Sequence, residues 1–69
     1  MKSYVKAKNG KEYVVATVLL SDGRYKTACF HGEGKKITNF KELDSVISYK
    51  RLEAVDAHSA MCTRWRKGA

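Results

Sequence analysis

The residues with most chemical character in this chain are a basic, indole-bearing tail, rings interleaved with lysines, and two cysteine–histidine pairs. Arg64-Trp65-Arg66-Lys67 sets an indole among cations. An indole can stack on a base while its neighbours meet phosphate, and the competing use of a lone Trp is as a core plug. Tyr4, Lys6, Lys8, Lys11, Tyr13 and Lys26 mix rings with ammonium groups, a combination suited to single-stranded nucleic acid. Cys29-x-His31 and His58-x3-Cys62 contain the ligand types of a tetrahedral zinc site. Their spacing matches no common zinc finger, and Cys29 reads better as a small buried hydrophobe, so neither metal nor cofactor is expected.

Catalysis is not expected either. The acids Glu12, Asp22, Glu33, Glu42, Asp44, Glu53 and Asp56 are scattered. Cys29 with His31 or His58 could form a nucleophile–base pair, but nothing in the sequence orients the base. Gly32-Glu33-Gly34-Lys35-Lys36 lacks the spacing and the Ser or Thr of a P-loop and reads as a basic loop.

These residues must be held by one small domain spanning residues 1–69. That length excludes a Rossmann unit or a β/α barrel, and a hydrophobic content of 43% is too high for a disordered tail. Fourteen Lys and Arg against seven Asp and Glu give +7. Residues 1–36 carry +5, residues 37–56 carry −1 and residues 57–69 carry +3, so both ends are positive. Such a domain attracts polyanions, nucleic acid first and acidic protein surfaces second. Two cysteines are too few for a secreted disulfide framework, and no apolar stretch resembles a signal peptide or a bilayer span. A cytoplasmic protein without membrane contact is the expectation.

The expected fold class is α+β: a small twisted antiparallel meander of three or four strands with one short helix. Asn9-Gly10 and Asp22-Gly23 are hairpin signals, and they delimit strands near residues 4–8, 12–20 and 24–31. Residues 32–36 form a loop or a third hairpin turn. Asn39 with Glu42 has capping-box spacing, and Phe40, Leu43, Val46 and Ile47 share a helical face, which predicts a helix over 40–47. A fourth strand is preferred through 49–55, with continued helix as the alternative. Residues 57–69 read as a helix turn or a flexible basic tail. The layout is similar to SH3-like chromatin proteins and OB-like cold-shock proteins in layout alone, since the aromatic motifs of the latter are missing.

Two-residue loops at both turns would pair Val5 with Val14 and Leu20 with Tyr25. Strict alternation then puts Val5, Ala7, Val14, Ala16, Val18, Leu20, Tyr25, Thr27, Cys29 and His31 on a core face against Phe40, Leu43 and Ile47. Tyr4, Lys6, Lys8, Lys11, Tyr13, Val15, Thr17, Leu19, Lys26, Ala28 and Phe30 fall on the other face. The expected function is a non-catalytic basic accessory protein binding DNA or RNA with little sequence preference. Tyr4, Lys6, Lys8, Lys11, Tyr13, Lys26, Arg64, Trp65, Arg66 and Lys67 are its contacts. The alternatives are a phage-like modulator or inhibitor that docks on an acidic protein surface, and a homodimerising structural subunit.

Overall fold

Up to Ser48 the chain alternates β-branched runs with turn residues, and between Ser48 and Gly68 lies a stretch without Gly, Pro or β-branched clusters. A computed structural model describes residues 1–68 and follows this division. The strands are β1 (Lys2–Lys6), β2 (Glu12–Leu19), β3 (Tyr25–Glu33) and β4 (Lys36–Ser48), and the helix is α1 (Arg51–Arg66). The strands form one antiparallel sheet in the order β1-β2-β3-β4, and α1 packs across one face. The fold class is the expected meander with one helix.

Two elements differ from the sequence expectation. Residues 40–47 are not helical but lie within β4, where Thr27 faces Val46 and Lys26 faces Ile47. Asn39 caps no helix; its Oδ1 accepts the Lys41 amide at 2.9 Å in an Asx turn. The stretch 49–55 is not a strand but the entry to α1, and residues 57–66 are its second half rather than a loose tail. Leu52, Glu53, Ala54, Ala57, Ala60 and Met61 favour helix intrinsically. Glu53 reaches back to accept the amides of Tyr49 (3.1 Å) and Lys50 (3.3 Å), satisfying donors that the helix start leaves free. Arg64 and Arg66 in the last turn complement the helix dipole.

The turns decide which side chains share a face. In the first hairpin the Ala7 amide donates to Lys11 O (2.8 Å) and the Gly10 amide to Ala7 O (3.0 Å), enclosing three loop residues. The second repeats this: the Leu20 amide donates to Arg24 O (2.7 Å) and the Gly23 amide to Leu20 O (3.0 Å). Gly10 and Gly23 take the left-handed position that closes such loops, with φ of 88° and 89°. Only the third reversal, Gly34-Lys35, is a two-residue turn, with φ of 58° and 68°.

One extra loop residue at each of the first two turns moves both registers by one position. Val5 pairs with Tyr13 rather than Val14, and Tyr25 with Leu19 rather than Leu20. β1 and β3 therefore keep their expected relation, and β2 alone is inverted between them. The helix-facing core contains Val5, Ala7, Tyr13, Val15, Cys29, Met61 and Cys62, with Leu43, Val46 and Trp65 packed against it. Met61 and Val15 are fully enclosed, and each such side chain contributes about 1.5–3 kcal/mol. Phe40 and Ile47, expected in this core, stand in solvent; Phe40 is 77% exposed.

Candidate functional site

The face opposite α1 carries Lys2, Tyr4, Lys6, Glu12, Val14, Ala16, Val18, Lys26, Ala28 and Phe30. Among the described residues no helix covers it. Irregularities between Cys29 and Gly32 break the β3–β4 register, and bulges of this kind bend a strand. The bent ribbon closes over part of the face. Lys35 Nζ lies 5.8 Å from the Tyr4 ring centroid, and Phe40 meets Phe30 edge-on at 6.0 Å. Val14 is only 1% exposed beneath this cover. Tyr4 stays half in solvent, so part of its ring and the Phe40 ring are open to a partner. Lys26 pairs with Glu42, while among the described residues Lys2, Lys6 and Lys35 pair with no carboxylate.

The topology also gathers cations at one end. Lys6 pairs with Glu12 and Glu12 with Gly32, so the first hairpin tip and the β3–β4 turn lie together. The Lys8 amide donates to Arg66 O at 3.3 Å, which brings the helix C-terminus to the same place. Lys6, Lys8, Lys11, Lys35, Lys36, Arg66 and Lys67 thus share an end where Glu12 and Glu33 are the acidic residues. Of the sequence-predicted contacts, Tyr4, Lys6, Lys8, Lys11, Arg66 and Lys67 meet at or beside this end. Lys26 lies farther along the open face.

Of the other predicted contacts Tyr13 is buried, and Trp65 and Arg64 are both engaged by Asp44. Tyr13 is 5% exposed, and its ring packs on Trp65 at 5.0 Å and His31 at 5.6 Å. Trp65 is half-buried, and its indole Nε1 donates to Asp44 Oδ2 at 3.1 Å. Arg64 pairs with the same carboxylate oxygen at 2.7 Å. Trp65 and Tyr13 are therefore packing residues that tie α1 to the sheet. The register shift moved Tyr13, and the indole follows from its place on the buried stripe of α1.

The cysteines and histidines do not converge on a metal. Among the described residues no group of three or more His, Cys, Asp or Glu is placed to hold one. Cys29 and Cys62 are buried free thiols, and burial, with Asp44 and Cys62 adding, pushes the Cys29 thiol up to about 12. His31 is exposed, with its ring tilted by 30° against that of Tyr13.

His58 links helix and sheet through side-chain hydroxyls far from it in sequence. Its ring lies 4% exposed between helix and sheet, with Nε2 2.8 Å from Ser3 Oγ and Nδ1 2.8 Å from Thr17 Oγ1. Thr17 Oγ1 is in turn 2.8 Å from Thr27 Oγ1. Hydroxyls can donate or accept, so either imidazole tautomer is satisfied. Burial, and then the Met1 ammonium group, hold the His58 pKa below its ordinary value, so a neutral ring is favoured. The stripe Ala54, His58, Met61, Cys62 and Trp65 is the signal that would have found both the helix and this network.

No family, curated protein or solved structure matches this chain. Among the described residues no helix is long and apolar enough to cross a membrane.

Proposed function

We propose that this protein is a small non-catalytic accessory protein that binds nucleic acid, largely without regard to sequence. The reading rests on one observation above all. Two hairpin tips and a helix C-terminus bring together cations that pair with no carboxylate among the described residues, beside the half-open Tyr4 ring and the exposed Phe40 ring. Lys6, Lys8, Lys11, Lys35 and Lys36 contact phosphates, and Tyr4 and Phe40 offer faces for unpaired bases. Each stacked base contributes about 1–3 kcal/mol, and the lysines make affinity fall with salt. The site of action is the cytoplasm, where both buried thiols stay reduced. The direct test is fluorescence anisotropy with random single- and double-stranded oligonucleotides at two salt concentrations. Tight single-stranded binding that weakens with salt supports the reading, and no binding at low salt removes it.

A second reading draws on the free edge of β1. Met1 and Ala7 make their amide bonds inward to Thr17 and Lys11, so by alternation the backbone groups of Lys2, Tyr4 and Lys6 point outward. An acidic extended segment of another protein would find there both backbone partners and two ammonium groups. Capture of a protein partner from nuclease-treated lysate, lost when Lys2 and Lys6 are changed to Glu, would favour this modulator role.

A further inference from the structure

On the helix side of β1, away from the exposed rings, a polar cleft runs between the strand and the C-terminal half of α1. Its walls are Ser3 from β1 and His58, Ser59, Cys62, Thr63 and Arg66 from α1. Ser59, Thr63 and Arg66 follow one another at helical spacing, so they line one side as a stripe, and Ser3 closes the other. Among the described residues no acidic group belongs to the lining, and α1 has no acid after Asp56. Arg64 is engaged by Asp44, whereas among the described residues Arg66 pairs with no carboxylate. The position of residue 66 is nevertheless fixed, because its carbonyl accepts the Lys8 amide.

We propose that this cleft is a seat for a phosphate oxyanion, held by the Arg66 guanidinium and the hydroxyls of Ser3, Ser59 and Thr63. A tetrahedral oxyanion presents oxygens toward both walls at once, whereas a planar carboxylate holds both of its oxygens in one plane. The negative end of the helix dipole lies nearby and opposes an anion, so the guanidinium supplies the attraction. His58 prepares the serine. When Thr17 donates to Nδ1, the Nε2 hydrogen is given to Ser3 Oγ, and the Ser3 hydroxyl proton is left for the cleft. An anion there selects that tautomer. It also opposes the burial that disfavours the imidazolium form. The seat needs neither the Tyr4 nor the Phe40 ring; it shares Arg66 alone with the basic end of the nucleic-acid reading.

The experiment is an NMR titration of the full chain with inorganic phosphate against chloride at matched ionic strength. Saturable shifts are expected for the Ser3, Ser59, Thr63 and Arg66 amides. The His58 ring nitrogens should move toward the Nε2-protonated tautomer, and the His58 pKa should rise. Arg66→Gln, at an exposed position that leaves the backbone bond intact, should weaken phosphate binding about tenfold or more. Thr63→Ala should weaken it less, and Tyr4→Ala should leave it unchanged even if it abolishes oligonucleotide binding. A 5′-phosphorylated oligonucleotide that reproduces the shifts at lower concentration than free phosphate identifies the source as a nucleic-acid terminus. Equal concentrations identify free phosphate, and in both cases the seat stands. Shifts that do not saturate, that scatter over the lysines, or that persist unchanged in Arg66→Gln overturn it.

Discussion

Asp44 Oδ2 on β4 accepts the indole hydrogen of Trp65 on α1 at 3.1 Å, and this bond keeps the one tryptophan of the chain against Tyr13. The same oxygen pairs with Arg64, so one carboxylate fastens the last turns of the helix to the edge strand of the sheet. Truncating it strands a half-buried N–H and frees a surface cation, and the first loss dominates. Asp44→Ala is expected to destabilise by about 1–3 kcal/mol, while Arg64→Gln costs less than about 1 kcal/mol. Urea unfolding measures both, and a red-shifted native tryptophan emission should accompany only Asp44→Ala.

His58 makes stability depend on pH in a defined direction. The ordinary value for the ring is 6.5, and burial holds the folded value below it. At higher pH the ring is neutral in both states and contributes no pH dependence. As pH falls through 6.5 the unfolded chain takes up a proton that the folded chain resists, so stability falls until the folded value is also passed. The groups facing the ring are the hydroxyls of Ser3 and Thr17, with the Met1 ammonium group adding repulsion, and among the described residues no carboxylate pairs with the ring. Urea midpoints should decline between about pH 7.5 and about pH 5.5, and His58→Gln should flatten that decline. An equal decline in the variant would assign the dependence to other groups.

Gly32 lies where the bent ribbon meets β2. A Cβ there would stand 2.9 Å from Val14 Cγ2 and 3.1 Å from Lys36 O. The backbone oxygen cannot swing aside as a side chain can, so Gly32→Ala should cost about 1–3 kcal/mol and loosen the cover over Val14. Gly23→Ala meets no neighbour but is strained by its φ of 89°, and should cost about 1 kcal/mol. Thermal unfolding of the two variants separates crowding from backbone strain, since only Gly32→Ala should change amide exchange at Val14.

Much of the fold was legible because turn chemistry and β-branched runs are local signals. The Asn-Gly and Asp-Gly reversals were found, but their loop length was not, and the register hangs on that single residue. Asn9 Oδ1 and Asp22 Oδ1 accept the amides of Lys11 and Arg24 at 3.0 Å, which stabilises the three-residue form. The helix is hard to place from sequence because its outward face carries Leu52 and Val55 while its buried stripe mixes Ala54 and His58 with Met61 and Cys62, so apolar spacing alone does not single out the buried side. β4 in turn places Phe40, Leu43, Val46 and Ile47 at a spacing that imitates a helix. The basic end was legible only in part. Lys6, Lys8 and Lys11 are close in sequence, but the Lys8–Arg66 bond that adds the tail spans most of the chain.

Thiol reactivity offers a check on the core. Both cysteines are buried, and the Cys29 thiol is held near 12, so neither should react with a thiol reagent in the native state at neutral pH. Both should react on unfolding. Mass spectrometry after a timed alkylation distinguishes this from a loosely packed helix, which would expose Cys62 first.

The contact surface itself is best tested by mapping amide and aromatic shifts during titration with a short single-stranded oligonucleotide at about 50 mM salt. The expected result is saturable movement of Tyr4, Lys6, Lys8, Lys35 and Phe40, with Leu52 and Val55 at the far end of the helix unmoved. Tyr4→Ala and Phe40→Ala should each weaken binding by about tenfold without unfolding the protein, since Phe40 is largely and Tyr4 half in solvent. Shifts centred on Leu19, Leu52 and Val55, or binding that ignores both ring deletions, would contradict a nucleic-acid surface on the open face.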